Sequence, residues 1–471
     1  MKRTESIFFL LFFALAATAQ EQLSLQKCRE LALQSGHEIL VAEKNILKAG
    51  NEKAAMRTLF LPSVSASATG IYLKDNFETE IYLPTATPNP ATGELQPNIM
   101  VDPLGQPVIG PDGNPVFNLY AWLPLELSLQ GAYLAGVQAE QPVFAGGKII
   151  TANKMATIGS EIARQNLLMQ QANIIASADQ AYWLYISVSE KLKLAENAAT
   201  MLKELVKKAS DAYETGMASE NDYLKAKVEY NKALLNVQKA SSGLELARMS
   251  LCRITGMPYS TQLFLTDTLA EMTIALPAGT EDENIANRPE YKLLESTVAL
   301  EDQKVNLARA DFLPQAGIRA GYSYLGGVEF AGSDYSNTNL SVMASVKIPL
   351  FHWGEGMKKV SSAKVSKDIK QLELENAARL MQLETEQARF NLNHAALQIE
   401  IAENALGQAT ENLRISNDNY ELGAETITDL LIAQTSWQQA YSELIEAKAN
   451  YKTQETLYLK AAGKLVVKPE E

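Results

Sequence analysis

Cysteine, histidine and tryptophan are scarce in this chain: two, three and four among 471 residues. The histidines, His37, His352 and His394, stand far apart with no H-E-x-x-H pair, which argues against zinc catalysis. Cys28 and Cys252 are too few for a metal-ligand set; they form either one disulfide in an oxidising compartment or two buried thiols. Clustered basic residues are also missing. With 42 basic and 55 acidic residues and a net charge of −13, the chain offers no surface for nucleic acid. Gly146-Gly147-Lys148 lacks the upstream glycine of a phosphate loop, no G-x-S-x-G occurs, and no nucleophile stands with a base and an orienting group. No catalytic residue, metal or cofactor is therefore assigned. Beyond the first twenty positions no apolar run reaches about 18 residues, so no transmembrane helix is available.

What is present begins with MKRTESIFFLLFFALAATAQ. Lys2 and Arg3, the apolar run to Ala17 and the Ala17-Thr18-Ala19 cleavage pattern read as a secretory signal over residues 1–19. Gln20, not cysteine, follows the cut, so no lipid anchor is expected.

The rest of the chain is one unit written twice. YETGMASEND (Tyr213–Asp222) aligns with YELGAETITD (Tyr420–Asp429), and at the same offset QPVFAGG (Gln141–Gly147) aligns with IPLFHWG (Ile348–Gly354). Upstream, FLPSVSASATGIY from Phe60 matches FLPQAGIRAGYSY from Phe312 at a larger offset. The difference is an insertion in the first copy, placed at about 73–124, where LPTATPNPATGELQPN and DPLGQPVIGPDGNPV carry the proline, glycine and asparagine density of an irregular loop. The expected layout is a first repeat over 20–256, a linker over 257–283, a second repeat over 284–464 and a tail over 465–471.

Leu192, Ala195, Ala199, Leu202, Val206, Ala209 and Tyr213 recur in steps of three and four, as do Ile399, Ala402, Leu406, Ala409, Leu413, Ser416 and Tyr420. That is a coiled-coil seam, rich in alanine. Helical pattern runs over about 149–213 and 356–420, each about 95 Å at 1.5 Å per residue. Gly216 and Gly423 stand where a glycine ends a helix. Ser219 and Thr426 are the expected N-caps of return helices over about 220–253 and 427–462.

Four segments alternate with period two and predict strands at about 63–72, 125–142, 315–325 and 339–350. Each is long enough to cross a bilayer at a tilt. Alternation of apolar and polar residues fits a membrane barrel; a half-buried soluble sheet is the alternative, disfavoured because long helices and isolated hairpins offer nothing else to cover it. Four strands cannot close alone in lipid, so a barrel needs several chains. Tyr72, Tyr133, Tyr322 and Tyr324 read as interfacial aromatics or as ordinary strand packing. Tyr182, Trp183 and Phe390 read as packing residues.

The order helix, β-hairpin, long helix, turn, return helix, given twice, resembles the TolC-like outer membrane efflux proteins. The resemblance is carried by the FLP joints, by QPVFAGG and IPLFHWG, by ALQSGHEILVAEKNILKAGNEKAA with its counterpart ANRPEYKLLESTVALEDQKVNLARA, and by the paired YETGMASEND and YELGAETITD turns. It implies a mainly α fold with a membrane β-barrel, and a homotrimer with a 12-stranded barrel and an α-helical periplasmic tunnel. It also implies outer membrane lipid around the barrel, a periplasmic adaptor (membrane fusion) protein and an inner-membrane pump of RND or ABC type as partners, and passive export of small molecules or polypeptides without catalysis. By the same resemblance Gly216, Met217, Ala218, Gly423 and Ala424 are adaptor-facing tips, and Asp222, Tyr420, Glu425 and Asp429 are candidate gate residues. The family's best-known member has a basic residue at the position of Glu425 and an acidic one at Ile432, so a salt bridge through that basic group is not expected here. For Asp222 and Asp429 a plain helix-dipole role stands beside the gate role. A soluble periplasmic coiled-coil scaffold or adaptor is the competing reading of the whole chain.

Overall fold

A computed structural model describes residues 22–84, 86–118, 122–270, 272, 274, 284–330 and 333–465. The signal sequence at 1–19, most of the C-terminal tail and part of the linker lie outside the described residues. In chain order the elements are β1 (Gln22–Leu23), α1 (Leu25–Ser35), α2 (His37–Thr58), β2 (Ser63–Pro84), β3 (Ala86–Pro88), β4 (Leu95–Pro97), β5 (Trp122–Ala145), α3 (Lys148–Glu214) and α4 (Glu220–Thr255). They continue with β6 (Phe264–Leu265), α5 (Pro289–Ala310), β7 (Gln315–Phe330), β8 (Ser333–Lys347), α6 (Glu355–Glu421) and α7 (Ile427–Ala461). The chain forms two compact units: a helical unit built from residues up to Lys53, Lys154–Val305 and Ser362 onward, and a sheet unit built from Ala54–Asn153 and Asn306–Ser361.

The sheet unit centres on four antiparallel strands in the order β2-β5-β7-β8. Its strands run further than alternation alone predicts. The β2–β5 ladder continues to the Pro84–Trp122 pair, well past Tyr72. Beyond Tyr72 the sequence KDNFETE is charged and loses its two-residue period, while backbone pairing needs no apolar face. Register shifts between Tyr72 and Phe77, Ser128 and Tyr133, and Leu325 and Val328 fall at one level of the sheet, and a further shift lies between Pro142 and Phe144 near its other end.

The insertion is ordered as well. β3 pairs with β4, and residues 98–118 carry a period of eight, MVDPLGQP then VIGPDGNP then VF. The three copies close a ring of backbone bonds: Met100 N–H donates to Val116 O (2.7 Å), Val116 N–H to Val108 O (2.8 Å) and Val108 N–H to Met100 O (2.8 Å). Gly105 and Gly113, equivalent in the period, both turn at φ 77. The proline and glycine density marks tight turns between these short pairings.

In the helical unit α3 and α6 are each 67 residues long, and α4 and α7 return over 36 and 35 residues. Three buried clusters run along them. One joins Ala388, Leu392, Ala395, Ile399 and Ala402 to Leu444, Ala447 and Tyr451. A second joins Ala199, Leu202, Leu205 and Ala209 to Ala226, Ala233, Ile427 and Leu430 near the turns. The third gathers Cys28, Ala32, Tyr182, Trp183, Leu251 and Cys252. The seam positions 199, 202, 209, 399, 402 and 416 are buried as the heptad predicts, the others are half-buried, and Tyr213 at the end of the first seam is exposed. Leu194, Ala198 and Leu205 are buried beside them, because α3 packs on more than one neighbour. Both cysteines are free and buried, and burial pushes the Cys28 thiol up to about 12. Asp179, fully buried, accepts two bonds from Arg29 (2.7 and 2.6 Å) and one from the Thr456 hydroxyl (2.6 Å). This buried carboxylate ties α1, α3 and α7 together.

Candidate functional site

The two helix turns are built alike. Gly216 and Gly423 adopt φ 77 and 73, the left-handed region that a Cβ disfavours. Their amides donate to Tyr213 O and Tyr420 O, both at 3.0 Å. The next residues, Met217 and Ala424, reach back to Ala212 O and Asn419 O, both at 2.8 Å, the double closure of a Schellman-type ending. Ser219 then caps α4 by accepting from Asp222 N–H at 3.2 Å. Thr426 caps α7 in the same way, and the Asp429 carboxylate returns a bond from Thr426 N–H (3.1 Å), completing a capping box. Met217 and Leu422 are about four-fifths exposed at the ends of the turns, apolar groups left in water.

The gate candidates fall into two groups. Asp222 and Tyr420 are linked through charge: burial, and then the Asp222 carboxylate, raises the Tyr420 phenol. The Asp222 carboxyl is held below its usual value by the Ser219 hydroxyl, aided by Lys225. Glu425 and Asp429 instead bond within their own turn. Glu425 accepts from the Asn419 amide at 2.9 Å, and its Oε2 is buried without a partner. The Asp429 carboxyl is lowered by the side chain and then the backbone of Thr426.

Sequence reasoning missed the contacts that bridge the hairpins. Lys208 pairs with Glu421 at 2.7 Å, and the Lys225 ammonium donates to Thr428 Oγ1 at 3.1 Å. The available signal was position: Lys208 flanks the seam residues Val206 and Ala209, where coiled coils place partner-choosing charges. Beside these bridges lies a cavity of about 340 Å³ lined by Lys208, Arg414, Tyr420, Leu430, Gln434 and Trp437. A groove of about 760 Å³ runs between α4 and α7, lined by Leu224, Lys225, Val228, Thr428, Leu431 and Ile432.

The second functional surface is the sheet. The register sets Tyr133, Ala135 and Val137 opposite Gly70, Ala68 and Ala66 on one side, and Ala135, Val137 and Ala139 opposite Tyr324, Tyr322 and Ala320 on the other. It then sets Ala320 and Tyr322 opposite Val342 and Leu340. All four predicted apolar rows therefore share one face. The opposite face carries Ser65, Ser67, Gln138, Glu140, Arg319, Ser341, Ser345 and Lys347, with Glu140 and Arg319 directly paired and bonded at 3.2 Å. Among the described residues β2 and β8 have no further neighbour at the sheet's two edges. No helix of the described residues is long and apolar enough to cross a membrane, and none of their acidic, histidine or cysteine side chains group as a metal site.

A family model described as outer membrane efflux protein matches residues 114–257 and 282–464. The chain belongs to the outer membrane efflux protein family. It is an outer membrane protein, and the soluble-scaffold alternative is set aside. The outer membrane protein TolC of Vibrio cholerae is 20% identical over 330 residues, 67% of this chain and 73% of that one. The alkaline protease secretion protein AprF of Pseudomonas aeruginosa is 21% identical over 328 residues, 68% of each chain. The fold is that of solved outer membrane channels, mainly helical with β-hairpins. The CmeC channel of Campylobacter jejuni superposes with a TM-score of 0.71 at 18% identity, covering 95% of this chain and 87% of that one. The open-state MtrE channel of Neisseria gonorrhoeae gives 0.70 at 18%, covering 94% and 89%.

Proposed function

We propose that this efflux-family chain is the exit duct of a tripartite efflux or type I secretion machine, a passive conduit with no catalysis. The observation that carries the reading is the sheet: apolar on one face, polar on the other, with two unpaired edges. An open edge is not tolerated in lipid. Strand directions alternate from β2 to β8, so β8 of one copy lies antiparallel to β2 of the next and the edges satisfy each other. Three copies join to a 12-stranded barrel whose polar face, with its Glu140–Arg319 pair, lines the pore. The helical unit supplies the periplasmic tunnel. The layout of two repeats, 20–256 and 284–464, around an equatorial linker at 257–283 is part of this proposal.

The turns at 216–218 and 423–424 then meet a periplasmic adaptor, through which an inner-membrane pump of RND or ABC type delivers small molecules or polypeptides. The exposed Met217 and Leu422 support that contact. Asp222, Tyr420, Glu425 and Asp429 surround the entrance. The Lys208–Glu421 and Lys225–Thr428 contacts hold the hairpins together where the family relative uses a basic residue at the position of Glu425. Negative lining charge favours cations in transit. Purified protein in planar bilayers tests the reading. Discrete cation-selective conductance is expected, with Asp429→Ala altering conductance or selectivity. Absence of conductance overturns the duct, and an unchanged Asp429→Ala channel overturns the gate assignment alone.

A further inference from the structure

Leu430, Gln434 and Trp437 follow one another on α7 in steps of four and three, so they share one face of the helix. That face lines the cavity of about 340 Å³ between α3, α6 and α7. The walls are largely apolar: Leu205 and Leu430 are buried there, and the Trp437 ring stacks on Tyr441 at 5.8 Å and 21°. Gln434 is the exception. It is only 4% exposed, and its Nε2 is buried with no hydrogen-bond partner among the described residues. Leaving a buried amide unpaired is costly, and native interiors rarely do it. The repeat does not account for it either. The first-repeat counterpart of Gln434 is Lys227, which is exposed, with its ammonium 5.7 Å from the Tyr223 ring centroid.

The rest of the lining shows what fits. Lys208 and Arg414 stand at the rim, each side chain more than half exposed. Lys208 donates to Glu421 at 2.7 Å; Arg414 donates to Glu411 at 3.0 and 2.7 Å and to Asp418 at 2.8 Å. An ammonium carries three donors and a guanidinium five, so both keep N–H groups beyond those bonds. Glu204 is the one acid among the described lining residues. The unfilled capacity is therefore donor capacity, and the matching ligand brings an acceptor. Two cations against one acid favour a negatively charged acceptor, and a carboxylate bonds such donors most strongly. The leucines and Trp437 call for a flat apolar body. The volume is at the small end of ligand pockets, room for a ring system and not for a polymer.

We propose that this cavity binds a small aromatic carboxylate. Its rings lie against Trp437 and the leucines, and its carboxylate accepts from Gln434 Nε2 and faces the Lys208 and Arg414 charges. Because α3 belongs to the first helical hairpin and α6 and α7 to the second, an occupied site joins the two. The assignment holds whether or not the chain conducts.

The test uses the full-length protein in detergent micelles. Benzophenone-4-carboxylate is photolysed with wild-type protein and the adducts are mapped by mass spectrometry. Saturable labelling is expected at Met201 and within residues 413–437, suppressed by excess 2-naphthoate. Gln434→Leu removes the amide at nearly constant volume, so its melting temperature without ligand should stay level or rise. It should weaken suppression by 2-naphthoate about tenfold or more. Lys227→Leu, the same change in the first repeat, should behave as wild type. Absence of saturable labelling means that water or a neighbouring copy fills the cavity, and overturns the proposal. Unchanged binding to Gln434→Leu, or an equal loss in Lys227→Leu, overturns it as well. Suppression by neutral 2-naphthylmethanol at the same concentration as 2-naphthoate would mark a merely apolar hole and overturn the carboxylate assignment.

Discussion

Asp179 and Glu386 hold the same place in the two repeats, yet only one is a structural keystone. Asp179 is buried on a bidentate Arg29 contact and the Thr456 hydroxyl. Glu386 is exposed and pairs with Arg389 one turn along its own helix. The same contrast recurs along the chain. Gly146 is pressed against Ala310 where Trp353 stands free, and Ser219 gives a single cap where Thr426 and Asp429 close a reciprocal one. Duplication supplied one backbone plan. Each copy then meets different neighbours, because a repeat packed beside its twin cannot present the same surface to both sides.

The sharpest way to break this comparison is to truncate the paired acids. Asp179→Ala leaves Arg29 and Thr456 without their partner. It should lower unfolding free energy by about 3 kcal/mol, toward the low end for a broken buried pair because Arg29 reaches solvent. Glu386→Ala should change it by well under about 1 kcal/mol. Equal thermal shifts for the two variants would erase the asymmetry. The turns predict the opposite pattern, near identity. Gly216→Ala and Gly423→Ala should each cost about 1–2 kcal/mol, since both impose a Cβ on left-handed backbone. A difference above roughly 1 kcal/mol between them in chemical denaturation would show that the turns are not equivalent.

Smaller effects sharpen the caps. Ser219→Ala and Thr426→Ala should each cost about 0.5–2 kcal/mol, the second more, because it also removes the reciprocal bond to Asp429. Hydrogen exchange at residues 220–223 and 427–430 resolves the two. Acid acts on both tips in one direction. The Asp222 and Asp429 carboxyls are lowered in the fold, so their contribution is full above the unfolded value of about 3.9 and is lost as pH falls through the still lower folded values. Exchange protection at the tips should hold from pH 8 to 5 and weaken only below about 4; loss near pH 6 would assign the tips to other groups. The smallest expected effect is chemical. With Cys28 pushed up to about 12 by burial and Cys252 raised by the same cause, neither thiol should react with iodoacetamide at pH 8 until the chain unfolds.

Much of this was legible in local pattern. The heptad steps, the glycine stops and the Ser and Thr caps are short-range signals, and α3, α4, α6 and α7 begin and end within a residue or two of their expected bounds. The two-residue period located the starts of β2 and β7, but it placed β5 at 125 where the strand begins at Trp122, and β8 at 339 where it begins at Ser333. It lost β2 after Tyr72, since pairing there does not depend on alternating side chains. The eight-residue repeat at 98–118 was present in the letters but masked by its prolines, which read as loop. For the bridges Lys208–Glu421 and Lys225–Thr428 the only signal was the place of Lys208 beside the seam, and it named no partner: one lysine among many on charged helix faces acquires one only when two hairpins settle at a particular rotation.

Repetition, capping and periodicity are properties of neighbouring residues, so the order of elements, the twin turns and the outer membrane family follow from the primary structure. Long-range register is not such a property. Only the folded chain put four apolar rows on one face, set Glu140 against Arg319, buried Asp179 with Arg29 and left the Gln434 amide facing a cavity. Each depends on residues tens to hundreds of positions apart, brought together by backbone pairing and helix packing whose offsets no local pattern encodes.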